Sequence, residues 1–265
     1  MVSAVLIVAC IGTLIPVVWM VSTSLKAPED VFARPIQWLP RHADWSSYPT
    51  ALDRRPFGLY TVNSIVTAGV STLITVTVGS AAAFSFSHYR FRARDTLFLL
   101  VLSAFMIPLE VIVVPLYLEV HRFGWADTYW ALVIPTAFAP QGVFILRQAM
   151  LAVPKEYVAA ARVDGASELY ILFRLVWPLI RPSLAAVAVY TFVASWNSYL
   201  WPLIAVSSDK LRTLPLGMAL FENELTAQYP EVMAVAVMGS IPLVLLFVAL
   251  QRAFVQGLLG VGLKE

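Results

Sequence analysis

A carboxylate set in an apolar stretch is the first feature of this sequence that could do chemistry. Glu110 lies between Pro108 and Pro115 in the run Met106 to Tyr117, MIPLEVIVVPLY. A charge in hydrocarbon is expensive, so Glu110 is expected to face a solute pathway, an interhelical partner or the outer headgroups. Asn197 is the second feature. It offers amide hydrogen bonds beside the rings of Trp196, Tyr199 and Trp201, a composition suited to sugar hydroxyls and apolar ring faces, although asparagine equally ties membrane helices together. Nucleophilic and metal chemistry have little support. His42, His88 and His121 fall in predicted loops, Cys10 is the single cysteine, and no G-x-S-x-G elbow occurs. The tail GLLGVGLK has glycines and a lysine, but the spacing is wrong for a phosphate-binding loop and no hydroxyl follows Lys264. No catalytic residue, metal ligand or cofactor is therefore expected in this chain.

The elements that must position these residues are set by composition. The chain is 60% hydrophobic and 13% charged, about half the usual charged share of about 25% in a soluble domain. A helix rising 1.5 Å per residue needs about 20 apolar residues to cross about 30 Å of hydrocarbon. Runs of that length predict spans near residues 4–24, 60–86, 96–119, 129–151, 183–206 and 232–251. The fold class expected is all-α integral membrane, a single transmembrane domain over 1–265 with six helices. A closed barrel would alternate apolar and polar residues, and these runs are apolar on all sides. The first run lacks a basic n-region and an Ala-x-Ala-like cleavage site, so it is expected to be retained. Cys10 can form no intrachain disulfide. The net charge of +2 and the scatter of basic residues among loops argue against a nucleic-acid partner.

With six spans both termini share a side. Arg90, Arg92 and Arg94 crowd one short loop, the kind of loop that the positive-inside rule weighs most, which predicts cytoplasmic termini. Lys26, Arg34, Arg41, Arg54 and Arg55 lie in the opposing long loop and weaken the overall count. Trp38, Trp45, Trp125, Trp130 and Trp201 fall near outer boundaries, as an aromatic belt requires. Pro108, Pro115, Pro135 and Pro140 are expected to kink or loosen their helices. Gly69, Gly79 and the run Ser80 to Ala83 predict a tightly packed small-residue face on the second span.

Residues 152–182, AVPKEYVAAARVDGASELYILFRLVWPLIRP, are too polar to span and too regular for a plain loop. Pro154 suits the start of a helix and Glu156 complements its positive end, predicting a short helix over Lys155 to Asp164. Gly165 stands where the chain must leave that helix. Ser167 can cap a second helix, in which Leu169, Leu172, Phe173 and Val176 share an apolar face, and Trp177 and Pro178 are expected to end it. The residues alone leave two readings: a platform whose small Ala159, Ala160 and Ala161 let another surface approach closely, or a linker that buries an apolar face in headgroups.

The segment resembles the "EAA" coupling loop of bacterial binding-protein-dependent ABC importer permeases. Pro154, Glu156, Ala160, Ala161, Asp164, Gly165, Ala166, Ser167 and Pro178 match its pattern, and Ala159 stands where the family usually has a glutamate. Ser24 to Pro40, Tyr89 to Arg94, Met106 to Tyr117, Val143 to Gln148, Trp196 to Pro202 and Gln251 to Leu258 are similar, in order and spacing, to the carbohydrate and glycerol-phosphate (maltose-type) branch. The resemblance implies a six-helix permease of the bacterial inner membrane. Its partners would be a second homologous permease, two ATPase subunits that bind ATP and magnesium, and an extracellular or periplasmic solute-binding protein. It also implies that Pro154, Glu156, Ala160, Ala161, Asp164, Gly165 and Ala166 couple to the ATPase, with an ion pair from position 159 lost. The substrate would be a sugar or sugar-like solute; Glu110, Trp196, Asn197 and Tyr199 are the pathway candidates that the residues themselves offer. The competing class, an ion-coupled secondary transporter, needs internal repeats and intramembrane ionisable groups. No clear repeat is present, and Glu110 is the sole strong ionisable candidate.

Overall fold

The computed structural model describes residues 2–224 and 228–262, with side chains for 5–224 and 228–251. Every regular element among them is helical. In order these are α1 (Val2–Ser24), α2 (Ser47–Arg54), α3 (Phe57–His88), α4 (Arg94–Phe105), α5 (Leu109–Arg122), α6 (Tyr129–Ala137), α7 (Pro140–Leu151), α8 (Lys155–Val163), α9 (Glu168–Leu179), α10 (Arg181–Trp196), α11 (Leu200–Ala205), α12 (Leu214–Glu222) and α13 (Tyr229–Gly262). Three stretches are long and apolar enough to cross a membrane unaided: Val5–Ser24, Phe57–His88 and Tyr229–Gln251.

The other three expected spans are not straight helices. The run expected at 96–119 is divided into α4 and α5, bent by 101° at Met106 to Pro108, and the run at 129–151 into α6 and α7, bent by 43° at Phe138 and Ala139. In both, the residue ahead of a proline is pushed out of the α region, which stops the helix there; Ala139 accordingly has φ −94° and ψ 105°. At 1.5 Å per residue α4 and α5 are each about 20 Å long, short of about 30 Å of hydrocarbon on their own. The run at 183–206 holds α10 and α11, separated at Asn197 to Tyr199. Trp177 and Pro178 do not end α9 as expected. Helical geometry carries through Pro178 to Leu179, and the chain turns at Ile180, giving 91° between α9 and α10. Helices α2 and α12, inside the two long loops, were not visible as apolar periodicity.

The chain forms two compact units. One holds residues up to Asn63 together with Arg212–Val244. In it the Tyr60 ring lies so close to Gly217 that a Cβ there would overlap the ring. Phe57 stands edge-on to Phe221 with centroids 5.3 Å apart, and Arg55 pairs with Glu224 at 2.6 Å. Lys26, 1% exposed, donates to the Gln37 carbonyl at 2.6 Å and lies 4.1 Å from the Trp19 ring centre. The other unit holds Ser64–Leu211 and the residues from Leu245 on.

Prolines free backbone carbonyls in the second unit, and side chains satisfy them. Pro135 has no N–H for the Ala131 carbonyl one turn earlier, and the indole Nε1–H of Trp201 donates to that carbonyl at 2.8 Å. Ala137, at the α6–α7 break, receives the Thr75 hydroxyl at 2.5 Å. Trp201 is therefore a buried structural donor, 1% exposed, and not part of an outer aromatic belt. The small-residue face holds at Gly79, Ser80 and Ala83, which are buried, while Gly69 faces open space. Among the described glycines of this unit the tightest contact is at Gly142 of α7, where an added Cβ would meet Thr75 Cγ2 at 2.9 Å and Val187 Cγ1 at 3.2 Å.

Candidate functional site

Helices α8 and α9 form a braced hairpin mounted on the bundle. Pro154 holds the extended residue before α8 (φ −58°, ψ 131°). At the other end the Gly165 N–H donates to Arg162 O at 3.1 Å and the Ala166 N–H to Ala161 O at 3.0 Å. Those two bonds, with Gly165 at φ +78°, are the Schellman arrangement that ends a helix on a left-handed residue. Asp164 is the C-cap. Ser167 then caps α9, its Oγ accepting from the Tyr170 N–H at 3.3 Å.

One ion pair spans the turn. Arg162 Nε donates to Glu168 Oε1 at 2.8 Å and its Nη2 to Oε2 at 3.1 Å, a two-pronged contact. The Arg162 guanidinium also lies 5.2 Å from the Tyr89 ring centre, just past the end of α3. The hydrogen bonds from Arg162 hold the Glu168 carboxyl below the usual carboxylate range, aided by Tyr89. Desolvation, with the Glu168 carboxylate beside it, raises the Tyr89 phenol.

The hairpin is anchored by Val158 of α8 and Ile171, Leu172, Val176 and Ile180 of α9 and the turn after it, all buried with Phe84 of α3, Leu146 and Met150 of α7 and Val187 of α10. Burying each such side chain contributes about 1.5–3 kcal/mol, so the platform is held firmly. Of the expected apolar face, Leu172 and Val176 are buried, whereas Leu169 (67%) and Phe173 (37%) are exposed. A π-helical segment, Ile171–Val176, widens the turn and brings residues five apart onto the inward side. No 3.6-residue count finds that register.

What the hairpin presents outward mixes apolar side chains with charges. Val163 is 87% exposed, and Tyr157, Leu169 and Tyr170 are also exposed. Glu156, Ala159, Ala160, Asp164 and Gly165 lie on this open surface, while Ala161 and Ala166 are half-buried and pack on the core. Val163, Tyr157 and Tyr170 had not been singled out from sequence. Their signal, apolar residues at polar-face positions of a short helix, was present but overshadowed by the alanines.

The residues expected along a solute pathway are not gathered in one place. Glu110 is exposed in the first turn of α5. Asn197 ends α10, its side chain donating back to the Val193 carbonyl at 3.0 Å. Trp196 is 3% exposed and stacks on Phe192 at 5.8 Å, and Tyr199 is 41% exposed. Among the described residues no cluster of His, Cys, Asp or Glu is suited to a metal.

The family model described as "Binding-protein-dependent transport system inner membrane component" matches residues 75–260. An arabinooligosaccharide transport system permease protein of Halalkalibacterium halodurans is 38% identical over 76% of this chain and 72% of its own. An sn-glycerol-3-phosphate transport system permease protein of Pectobacterium atrosepticum is 33% identical over 96% and 93%. The solved structure of a bacterial ABC transporter that imports the acidic polysaccharide alginate has a chain of the same fold, with TM-score 0.85, 22% identity and coverage of 96% and 95%. The chain belongs to the binding-protein-dependent inner membrane component family and is a permease subunit of an ABC importer, a multi-pass protein of the inner membrane.

Proposed function

We propose that this chain forms half of the translocation pathway for a sugar or sugar-like solute, crossing the bilayer six times with both termini in the cytoplasm. Each bent pair or interrupted run then counts as one span: α4 with α5, α6 with α7, and α10 with α11. The α8–α9 hairpin is the cytoplasmic coupling element. A separate ATPase, binding ATP and magnesium, receives its open surface in a groove, a second homologous permease completes the pore, and an external solute-binding protein delivers the substrate. The observation that carries this reading is a hairpin with one side locked into the core while Tyr157, Val163, Leu169 and Tyr170 stand exposed on the rest of it.

Relatives named for arabinooligosaccharides and lactose support sugar transport, and another is named for a sulfoquinovosyl glycerol. In this reading Pro154 and Gly165 set the two ends of α8, Ala161 and Ala166 seat it, and Glu156, Ala160 and Asp164 meet the ATPase. With Ala159 in place of a glutamate, that contact rests more on apolar burial and on Glu156 one turn earlier. Exposed Glu110, Asn197 and Tyr199 face the solute route or the second permease, and Trp196 packs behind them. Copurification tests the assembly: an ATPase and a second permease should accompany the chain, and uptake should stop when the ATPase is disabled. Uptake driven by an ion gradient without ATP would contradict it.

A further inference from the structure

The loop that leads into α4 carries a strongly charged patch. Arg90 and Arg94, with Phe91 and Thr96, line an open hollow of about 400 Å³ at the start of that helix. Asp95 is the one carboxylate on the lining, and Arg94 holds it, its Nε donating to Asp95 Oδ1 at 3.0 Å. Arg90 and Arg92 are exposed and have no ion-pair partner among the described residues. Arg147 of α7 reaches the same end of α4. Its guanidinium lies 4.1 Å from the ring centre of Phe98, and its Nε donates to the Phe86 carbonyl at 3.3 Å. Four arginines thus stand against one acid, and among the described residues no second acid pairs with them.

The helix beyond the arginines is apolar. Arg94, Leu97, Val101 and Ala104 fall at i, i+3, i+7 and i+10, one stripe of α4. Leu97 is 45% exposed, and Val101 and Ala104 help wall a second hollow of about 330 Å³ with Val78, Ala82 and Val143. The Thr75 hydroxyl, which borders this trough, is committed to the Ala137 carbonyl. At 1.5 Å per residue the trough begins about 8 Å along the helix from Thr96. At roughly 30 Å³ per water-sized group, it holds on the order of ten methylenes. A charged mouth with an apolar trough a turn or two deeper has the layout of a phospholipid, with the phosphate at one end and an acyl chain at the other.

We propose that the start of α4 binds one anionic phospholipid of the cytoplasmic leaflet. The inference rests on the reading that puts the Arg90 to Arg94 loop in the cytoplasm, and goes beyond it. Arg90 and Arg94 grip the phosphate, Thr96 adds a hydroxyl donor, and one acyl chain runs over Leu97 into the trough. Net charge selects the class. A zwitterionic headgroup brings its own ammonium into a site already rich in cations, whereas phosphatidylglycerol brings an uncompensated negative charge. Free phosphate satisfies the arginines and leaves the trough unfilled. An acidic protein surface does the same, because the trough lies along the apolar part of α4, at a depth in the hydrocarbon that a soluble subunit does not reach.

The test uses the whole transporter, with its partner permease, ATPase and binding protein, purified in detergent and stripped of lipid. Native mass spectrometry should show saturable binding of dioleoylphosphatidylglycerol, at least tenfold tighter than of dioleoylphosphatidylcholine and not displaced by inorganic phosphate. The double variant R90Q with R94Q should carry one lipid fewer per complex even at tenfold the lipid concentration that saturates wild type, and V101F, which fills the trough, should bind more weakly too. Equal affinity for the two lipids, unchanged binding in the double variant, or displacement by inorganic phosphate would overturn the proposal. A second measurement does not depend on those variants assembling. A photoreactive residue at position 97 in native membranes should form adducts with phospholipid; adducts with the second permease or the ATPase alone would overturn the lipid assignment. In a Cys10→Ser background, labelling of Arg92→Cys by an impermeant maleimide added outside intact cells would instead overturn the cytoplasmic placement on which the proposal rests.

Discussion

Arg162 and Glu168 close a two-pronged ion pair, 2.8 and 3.1 Å, across the Gly165 turn, and so brace α8 against α9. Both side chains are partly exposed, at 36% and 43%, so the pair contributes about 0.5–1 kcal/mol to stability. Its importance lies in geometry. Glu168→Gln should leave assembly intact and lower uptake per ATP hydrolysed by several-fold, checked by measuring both rates in the same proteoliposomes.

The same pair gives a pH dependence. The Glu168 carboxyl is held below its ordinary value of 4.5, first by the Arg162 hydrogen bonds and then by Tyr89, with the Arg162 and His88 charges adding. A depressed carboxyl stabilises the fold above its unfolded value and loses that contribution as pH falls through the lower folded value. Between pH 6 and 8 the brace is therefore constant. Protease protection of the hairpin should drop only in acid below 4.5, and should drop less in Glu168→Gln.

Gly165 sits at φ +78° with nothing within 4 Å of a Cβ placed there. Gly165→Ile therefore meets backbone strain without a clash, costing about 1–2 kcal/mol. The subunit should insert and assemble normally, while ATP hydrolysis loses its link to uptake. Unchanged uptake would show that the turn is not a lever.

How much of this was legible in the sequence differs from place to place. The α8–Gly165–α9 outline was readable because helix ends obey local rules: proline at the start, glycine at the stop and serine at the next cap. The apolar runs were readable too, but their continuity was not. Whether Pro108 or Pro140 merely kinks a helix or ends it depends on whether other side chains satisfy the freed carbonyls, as Thr75 does for Ala137. That is a tertiary fact. The inward face of α9 was misjudged at Leu169 and Phe173 because a π-helical turn leaves no mark on residue spacing.

Trp201 is predicted to be a stability residue. Trp201→Phe leaves the Ala131 carbonyl, already deprived by Pro135, without the donor now at 2.8 Å. An unsatisfied buried acceptor costs about 1–3 kcal/mol, so the purified complex should unfold at lower temperature. Substrate preference should be unchanged, as an uptake competition assay would check.

Gly142→Val should be worse. The side chain would meet Thr75 Cγ2 at 2.9 Å and Val187 Cγ1 at 3.2 Å, and any retreat of Thr75 breaks its bond to Ala137. Overpacking of this kind costs about 1–3 kcal/mol. The expected outcome is reduced yield of assembled transporter, read by size-exclusion chromatography, with Gly142→Ala intermediate.

Photocrosslinking from position 163 tests the central claim most directly. Val163 is 87% exposed at the tip of the hairpin, and a photoreactive residue installed there in the native complex should yield an adduct with the ATPase subunit that changes in extent when ATP is bound. Adducts with lipid alone, or labelling of position 163 by an impermeant reagent added outside intact cells, would contradict the account.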